Sequence, residues 1–194
     1  MFQKTISREE VNELELRRYE GKPVVVTSPD SAKLVIEEIL DTEDFVGFDT
    51  ETKPTFTKGV INDVALIQIA SARKVFLIRV NQTGLTPQLK YFFETSEVAK
   101  IGVALLDDIR ALQRLRHFEP NNFQEINKLV KDVGIESDGL RKLTAIILGF
   151  RISKNQQTSN WENETLTDKQ INYAATDAWV CREMYTRLRE LGYL

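Results

Sequence analysis

Asp49 and Glu51 stand two residues apart at the end of an apolar run, Phe45-Val46-Gly47-Phe48. Side chains alternate along a β-strand, so the two carboxylates project to the same side. Carboxylates held together at the end of a buried strand lose hydration and repel each other, and a divalent cation is the usual compensation. Tyr173 and Asp177, four residues apart, share one face of a helical stretch. Aspartate has a poor propensity for the middle of a helix, so Asp177 needs a reason to be there. Asp107 and Asp108 open a further helix after the segment Lys100-Ile101-Gly102-Val103-Ala104, a place the helix dipole favours for acids whatever their role. The chemistry these residues offer is the binding of hard, oxygen-loving cations.

Composition narrows the cation further. The chain has one cysteine, Cys181, and one histidine, His117. Soft or borderline metal sites built on those ligands are nearly excluded. His117, beside Phe118 at a helix end, reads as a surface residue. A single cysteine forms no internal disulfide and suits a reducing compartment, so a cytoplasmic location is expected. The 194 residues fit a single domain, with a core over about 22–191 and a short helical extension over 1–21. Apolar residues at 42% and charged residues at 28% are ordinary for a soluble globular chain. No apolar run approaches the roughly 18 residues a membrane span needs, and the start MFQKTISREE lacks the apolar core of a secretory leader. A net charge of −3 argues against a protein that coats nucleic acid generically. It leaves room for an enzyme that touches a few phosphates and lets metal ions neutralise others.

Patterning places the elements that must position these residues. Ser7-Arg8-Glu9-Glu10 has the spacing of a capping box before a short helix. Lys22–Thr27 reads as a short strand that Pro23 pushes to a sheet edge. Ser28-Pro29 starts a helix to about Leu40, expected to bury Leu34, Val35 and Ile39. Strands are predicted over 45–50, 64–70 and 74–80, the last two joined by a link short enough for an antiparallel hairpin. The polar stretch 53–63, with Pro54 and Gly59, reads as a mobile loop. Thr86-Pro87 opens a helix to about Phe93, and a fourth strand over 98–104 runs into a helix over 106–116. A short fifth strand is predicted over 123–126, then helices over 127–133 and 140–148. The stretch 151–164 is polar and irregular, with Trp161 inside it. Thr167-Asp168-Lys169-Gln170 is a second capping box, opening a long helix to about Leu191. Its core stripe is Ile171, Ala174, Ala178, Tyr185 and Leu188, with Tyr173 and Asp177 at the stripe's edge, where a cleft is expected. The small Ala174 and Ala175 let this helix approach the sheet. The whole is an α/β chain: a mixed sheet of about five strands, the first three antiparallel, flanked by helices.

Asp-x-Glu at a strand end, an aspartate at a strand-to-helix junction, and Tyr-x-x-x-Asp on the last helix occur in that order. The order resembles the DEDD superfamily of 3′-5′ exonucleases in its tyrosine-bearing branch, with ribonuclease D and the exonuclease domain of the Werner helicase as relatives. The likeness extends to Val64-Ala65-Leu66-Ile67-Gln68-Ile69, to the spacing of Lys100 and Gly102 before Asp108, to Leu140 and Leu143 before Leu148-Gly149, and to Ser159-Asn160-Trp161 followed by Leu166-Thr167. It covers roughly residues 40–190. The histidine-bearing branch places His five residues before the last aspartate, where this chain has Asn172.

The resemblance implies a ribonuclease H-like fold and two-metal hydrolysis of phosphodiesters, releasing nucleoside 5′-monophosphates from a nucleic acid with a free 3′ end. The metals would be two divalent cations, Mg²⁺ or Mn²⁺, ~4 Å apart. Asp49 would bridge both, Glu51 and Asp177 would hold one, and Asp108 would support the other. Tyr173 would orient the attacking water, since a tyrosine with a pKa near ~10 is a poor general base at neutral pH. Lys154 would meet a phosphate. Trp161 would stack on the substrate or, the favoured reading, pack beneath the site. The 3′-terminal nucleotide would lie against the backbone near Thr50 and the side chain of Leu66. Arg110, Arg114 and Arg116 read as a solvated helix face. The chain looks like little more than the nuclease domain, without the helical RNA-binding domains of ribonuclease D or a helicase. DNA and RNA both remain open as substrates, and no obligate protein partner or membrane contact is expected. Two rival readings stand beside this one. A catalytically silent nuclease fold that binds nucleic acid or protein sits poorly with a full set of four acids and the tyrosine. A metal enzyme of another class, such as a phosphatase, fits Asp49 and Glu51 but leaves the later motifs unexplained.

Overall fold

The computed structural model describes residues 2–57, 59 and 61–194. At positions 58 and 60 the loop expected over 53–63 lies outside the described residues. The elements run α1 (Arg8–Glu13), β1 (Val24–Val26), α2 (Pro29–Thr42), β2 (Phe45–Thr52), β3 (Val64–Ala70), β4 (Val75–Ile78), α3 (Val80–Thr83), α4 (Pro87–Glu94), β5 (Ala99–Gly102), α5 (Leu106–Leu115), β6 (Phe123–Glu125), α6 (Ile126–Leu129), α7 (Leu140–Leu148) and α8 (Asp168–Glu190).

The described strands form one six-stranded sheet in the order β1-β4-β3-β2-β5-β6. β2, β3 and β4 are antiparallel, the link 71–74 between β3 and β4 being too short for a crossover, while β1 runs parallel to β4, and β5 and β6 run parallel to β2. β2 therefore lies inside the sheet, with β3 on one side and β5 on the other. One face of the sheet buries Val46, Phe48, Ile67 and Ile69 with residues of α2 and α4. The opposite face buries Leu66, Ala70 and Leu77 against Ala174, Ala175 and Ala178 of α8. The strands are buried on both faces, which explains why VFLI, and VALIQIA apart from the buried Gln68, read as near-continuous apolar runs rather than alternating ones.

α8 starts where its capping box dictates: the Thr167 hydroxyl accepts from the Gln170 N–H, and the Gln170 side chain accepts from the Thr167 N–H at 3.0 Å. Gln170 then donates to Ser159 Oγ and to the Asn160 carbonyl, each at 3.1 Å, which ties the irregular segment before α8 to its first turn.

The short strand expected over 22–27 is β1, at the sheet edge as read, and brings the described strands to six. Two expectations change. Leu34 is 65% exposed, because the buried stripe of α2 is Ala32, Val35, Ile36 and Ile39, and Leu34 falls on the opposite side of the helix. The helix expected over 127–133 is the single turn α6 followed by turns, since the Lys131 and Gly134 N–H groups bond three residues back instead of four.

Candidate active site

Asp49 and Glu51 both face α8, as the strand period requires. Across the antiparallel pair they stand opposite Gln68 and Leu66 of β3, and the register slips immediately after Glu51. α8 brings Asp177 to the same place. Carboxylate oxygens of Asp49, Glu51 and Asp177 all lie within 4.8 Å of one another. A glycine makes this approach possible. A Cβ on Gly47 would lie 2.0 Å from the Ala178 carbonyl oxygen and 2.8 Å from the Arg182 nitrogen. The residue after Asp177 thus rests directly on the residue two before Asp49.

Asp108 arrives from the other face of the sheet. Gly102 lets the end of β5 run close to β2, because a Cβ there would sit 2.7 Å from the Phe48 carbonyl oxygen. The chain then turns through Ala104 with a positive φ of 57°, its N–H held by Asn127 Oδ1 at 2.9 Å. That turn aims the first turn of α5 at the end of β2. Thr50, which alternates to the face opposite Asp49, donates its hydroxyl to Asp108 Oδ1. The neighbouring Asp107 is 92% exposed and pairs with Arg110, so of the two adjacent aspartates Asp108 is the one turned inward.

Electrostatics mark the cluster as incomplete without positive charge. Burial pushes the Asp49 carboxyl well above its usual range, and the charges of Asp177 and Asp108 push it further. Glu51 is pushed up to about 10, by burial first and then by Asp49, Asp177 and Asp108. Asp177 rises to about 7 and Asp108 to about 6, both through burial, each opposed by a hydroxyl: Tyr173 at Asp177 and Thr50 at Asp108. A donor set made only of carboxylate oxygens, crowded at the end of one strand, fits hard divalent cations.

A cavity of about 400 Å³ opens over Asp49, Glu51, Asp177 and Tyr173. Lys154 stands on its wall with an exposed side chain. Tyr173 is half-buried, and burial together with Asp177 and Glu51 raises its hydroxyl pKa strongly. One expected substrate contact requires correction: Leu66 is fully buried and presents no surface to a nucleotide. Trp161 is fully buried as well, which agrees with its favoured packing reading and removes the stacking alternative. Leu66 is covered because α8 closes over that face of β3. Trp161 packs under the site with its ring 6.0 Å from that of Tyr173, and the buried Arg79 holds it there by donating to the carbonyls of Trp161, Asn163 and Glu164. Thr50 uses its N–H on Asp49 at 3.0 Å and its hydroxyl on Asp108, so its polar groups serve the acids.

The sequence reading passed over Arg141 and Lys142, which line the same cavity from the first turn of α7. A signal existed: basic residues in a helix's first turn oppose its dipole, and α7 has no side-chain cap. Also missed was the segment 16–20, which lines a second cavity reaching Tyr173 and Asp177.

A ribonuclease H-like sheet whose strand β2 presents Asp49 and Glu51 to Asp177 of α8, with Asp108 bonded to Thr50 from the other face, is the architecture of the DEDD-type exonuclease family. The comparisons with known proteins agree. A family model described as 3′-5′ exonuclease matches residues 23–192, and the chain belongs to that family. It is 33% identical over 155 residues to the bifunctional 3′-5′ exonuclease/ATP-dependent helicase WRN of Mus musculus, a match covering 77% of this chain and 11% of that protein. To a 3′-5′ exonuclease of Arabidopsis thaliana it is 28% identical over 177 residues, covering 85% of this chain and 62% of that one. The chain thus spans less than two thirds of the length of these curated relatives. The crystal structure of the Aedes aegypti Nibbler EXO domain superposes with a TM-score of 0.78 at 26% identity, over 91% of this chain and 93% of that one. Escherichia coli RNase D shares the fold at a TM-score of 0.77 and 20% identity, over 90% of this chain and 47% of that one.

Proposed function

We propose that this chain hydrolyses the terminal phosphodiester at the 3′ end of a nucleic-acid strand, releasing nucleoside 5′-monophosphates. The observation that carries the reading is the convergence of the Asp49, Glu51 and Asp177 carboxylates within 4.8 Å beneath an open cavity. In the reaction the oxygen of a water bonds to phosphorus and the bond to the penultimate nucleotide's 3′ oxygen breaks. That oxygen leaves as a hydroxyl, its proton drawn from water.

Asp49, Glu51 and Asp177 would hold divalent cations, Mg²⁺ or Mn²⁺, with Asp108 supporting a second ion from across β2. Bound there, the cations supply charge neutralisation at the phosphate and a more acidic water. Tyr173, whose raised pKa keeps it protonated at neutral pH, acts as a neutral hydrogen-bonding group that orients the water rather than as a base. The low polarity under it, where Trp161 excludes water, strengthens that hydrogen bond. Lys154 and Lys142 offer positive charge to the phosphates on the cavity wall.

The test is incubation of a single strand with Mg²⁺ or Mn²⁺ and identification of the products. Stepwise shortening from the 3′ end with 5′-monophosphates released supports the reading. No degradation with either metal, or full activity in Asp49→Ala, ends it.

A further inference from the structure

Two cavities meet at this site. Both are lined by Ser153, Tyr173 and Asp177. The one over the acids belongs to the chemistry proposed above. The other, of about 490 Å³, is walled by the segment 16–20 on one side and by Asn155, Gln156, Lys169 and Asn172 on the other. That segment precedes residue 23, where the match to the exonuclease family begins. It is nonetheless built into the site. The Arg17 N–H donates to the Arg151 carbonyl and the Arg151 N–H to the Glu15 carbonyl, each at 2.9 Å, a parallel bridge beside the loop that carries Ser153. The Tyr19 N–H donates to Thr176 Oγ1 at 3.1 Å, next door to Asp177, and its ring lies 6.2 Å from Trp179. Arg17 is committed to this anchoring, over the Phe150 ring at 5.5 Å and paired with Glu15 at 2.7 Å.

Two cations on the cavity wall are not so committed. Arg18 stands 3.8 Å from Glu20 with both side chains well exposed, a pairing worth little in water. Lys169 has no ion-pair partner among the described residues. An enzyme that cuts the last phosphodiester needs room for one nucleotide on one side of the reacting phosphorus and a path for a polyanionic chain on the other. The segment cavity supplies such a path. It is continuous with the acid site, carries cations and carboxamides, and runs outward along 15–21 into a further surface depression. In a chain whose net charge is −3, cations gathered here are not a general coating.

Resting on the nuclease reading, we propose that Arg18 and Lys169 bind the phosphodiester backbone of the substrate strand beyond the cleaved bond. The segment 14–20 then acts as a strand guide added to the exonuclease fold.

The experiment uses the full chain and reads binding separately from chemistry. Anisotropy of a short labelled single strand, with Ca²⁺ in place of Mg²⁺ to hold hydrolysis, gives affinity against salt. Arg18→Ala with Lys169→Ala should flatten the plot of log affinity against log salt by about 0.7 per cation removed and weaken binding about tenfold at low salt. Arg18→Lys with Lys169→Arg should keep the slope. An unchanged slope and affinity in the alanine pair overturns the proposal, as does failure of the unmodified protein to hold the strand. In parallel, hydrolysis of thymidine 5′-monophosphate p-nitrophenyl ester reports the acid site without a strand. With the guide in place, the alanine pair loses about tenfold more kcat/KM on an oligonucleotide than on the ester, and equal losses on both count against it. An unmodified protein that binds the strand through Arg18 and Lys169 yet leaves both strand and ester intact with Mg²⁺ and with Mn²⁺ upholds the guide and overturns the catalytic reading alone.

Discussion

Gly47 lies against the carbonyl oxygen of Ala178 with no space for a methyl group, a built Cβ falling 2.0 Å from that oxygen. The contact joins β2 to α8 close to the two residues, Asp49 and Asp177, whose carboxylates lie together at the site. Backbone sits on both sides of the contact, so no side chain can turn away to relieve a substitution. Gly47→Ala is expected to destabilise the fold by about 1–3 kcal/mol, the usual cost of overpacking. It is also expected to lower activity about 100-fold by shifting α8, since a displacement near 1 Å has that effect on aligned groups. Denaturant melts and kcat/KM on the same preparation check both. A variant with lowered stability but unchanged activity would show that α8 is free to move without loss of the site.

The hydroxyl of Thr50 and the carboxylate of Asp108 connect the two faces of the sheet. Thr50→Val keeps the shape of the side chain and removes the donor. Without it Asp108 loses the larger of the two hydrogen bonds that lower its pKa, which then rises above about 6. Activity should fall about 10- to 100-fold, the common effect of removing a partner that orients a metal ligand. Raising the concentration of Mn²⁺ should recover part of the loss. Equal activity at every metal concentration would mean that Asp108 needs no such orientation.

What was legible in the sequence was the order of the acids and the period of the elements that carry them. Asp49 and Glu51 share a face because strands alternate, and Tyr173 and Asp177 share one because helices repeat near four. Both inferences depend only on local geometry. Leu34 was misplaced for a related reason: a helix has several apolar positions, and only tertiary packing decides which stripe is covered. Leu66 looked like a substrate contact and Trp161 allowed stacking or packing, because nearness to the acids in a motif does not report depth. α8 covers the first, and Arg79, from the far end of β4, holds the second beneath the site. The segment 16–20 carried no local signal, since its role exists only through hydrogen bonds to Arg151 and Thr176, more than a hundred residues away.

Tyr173 offers a test of role rather than presence. Its ring packs on Trp161 at 6.0 Å, and its hydroxyl counts among the groups that lower the Asp177 pKa. Tyr173→Phe retains the ring and removes only the hydroxyl. If the hydroxyl orients water, kcat should fall about 10- to 100-fold with little change in KM. The pH profile should keep its shape, because a group held protonated well above its ordinary range does not titrate within the working window. Loss of an acid or alkaline limb in the variant would instead identify Tyr173 as the group that moves the proton.

The crowded acids also predict how stability depends on pH and metal. Their folded-state pKa values are raised, with Asp108 near 6, Asp177 near 7, Glu51 near 10 and Asp49 well above its usual range. In the unfolded chain they titrate near ~4. Between pH 4 and those values the folded protein holds protons that the unfolded chain has released, so this contribution to stability is complete below about pH 4 and is lost as pH rises through 6 and 7. Asp177→Asn removes one of the charges. In metal-free buffer the variant should therefore melt above the unmodified protein at pH 8, by about 2–4 °C for each kcal/mol relieved, and the gap should narrow by pH 5 and close near pH 4. Mg²⁺ or Mn²⁺ should raise the melting temperature of the unmodified protein at pH 8, since a ligand that binds only the folded state stabilises it by mass action. At pH 5 the rise should be smaller, because protons then compete for the same carboxylates. In Asp177→Asn it should be smaller at both pH values. A metal-free variant no more stable than the unmodified protein at pH 8 would mean that the acids are relieved by solvent rather than waiting for a cation.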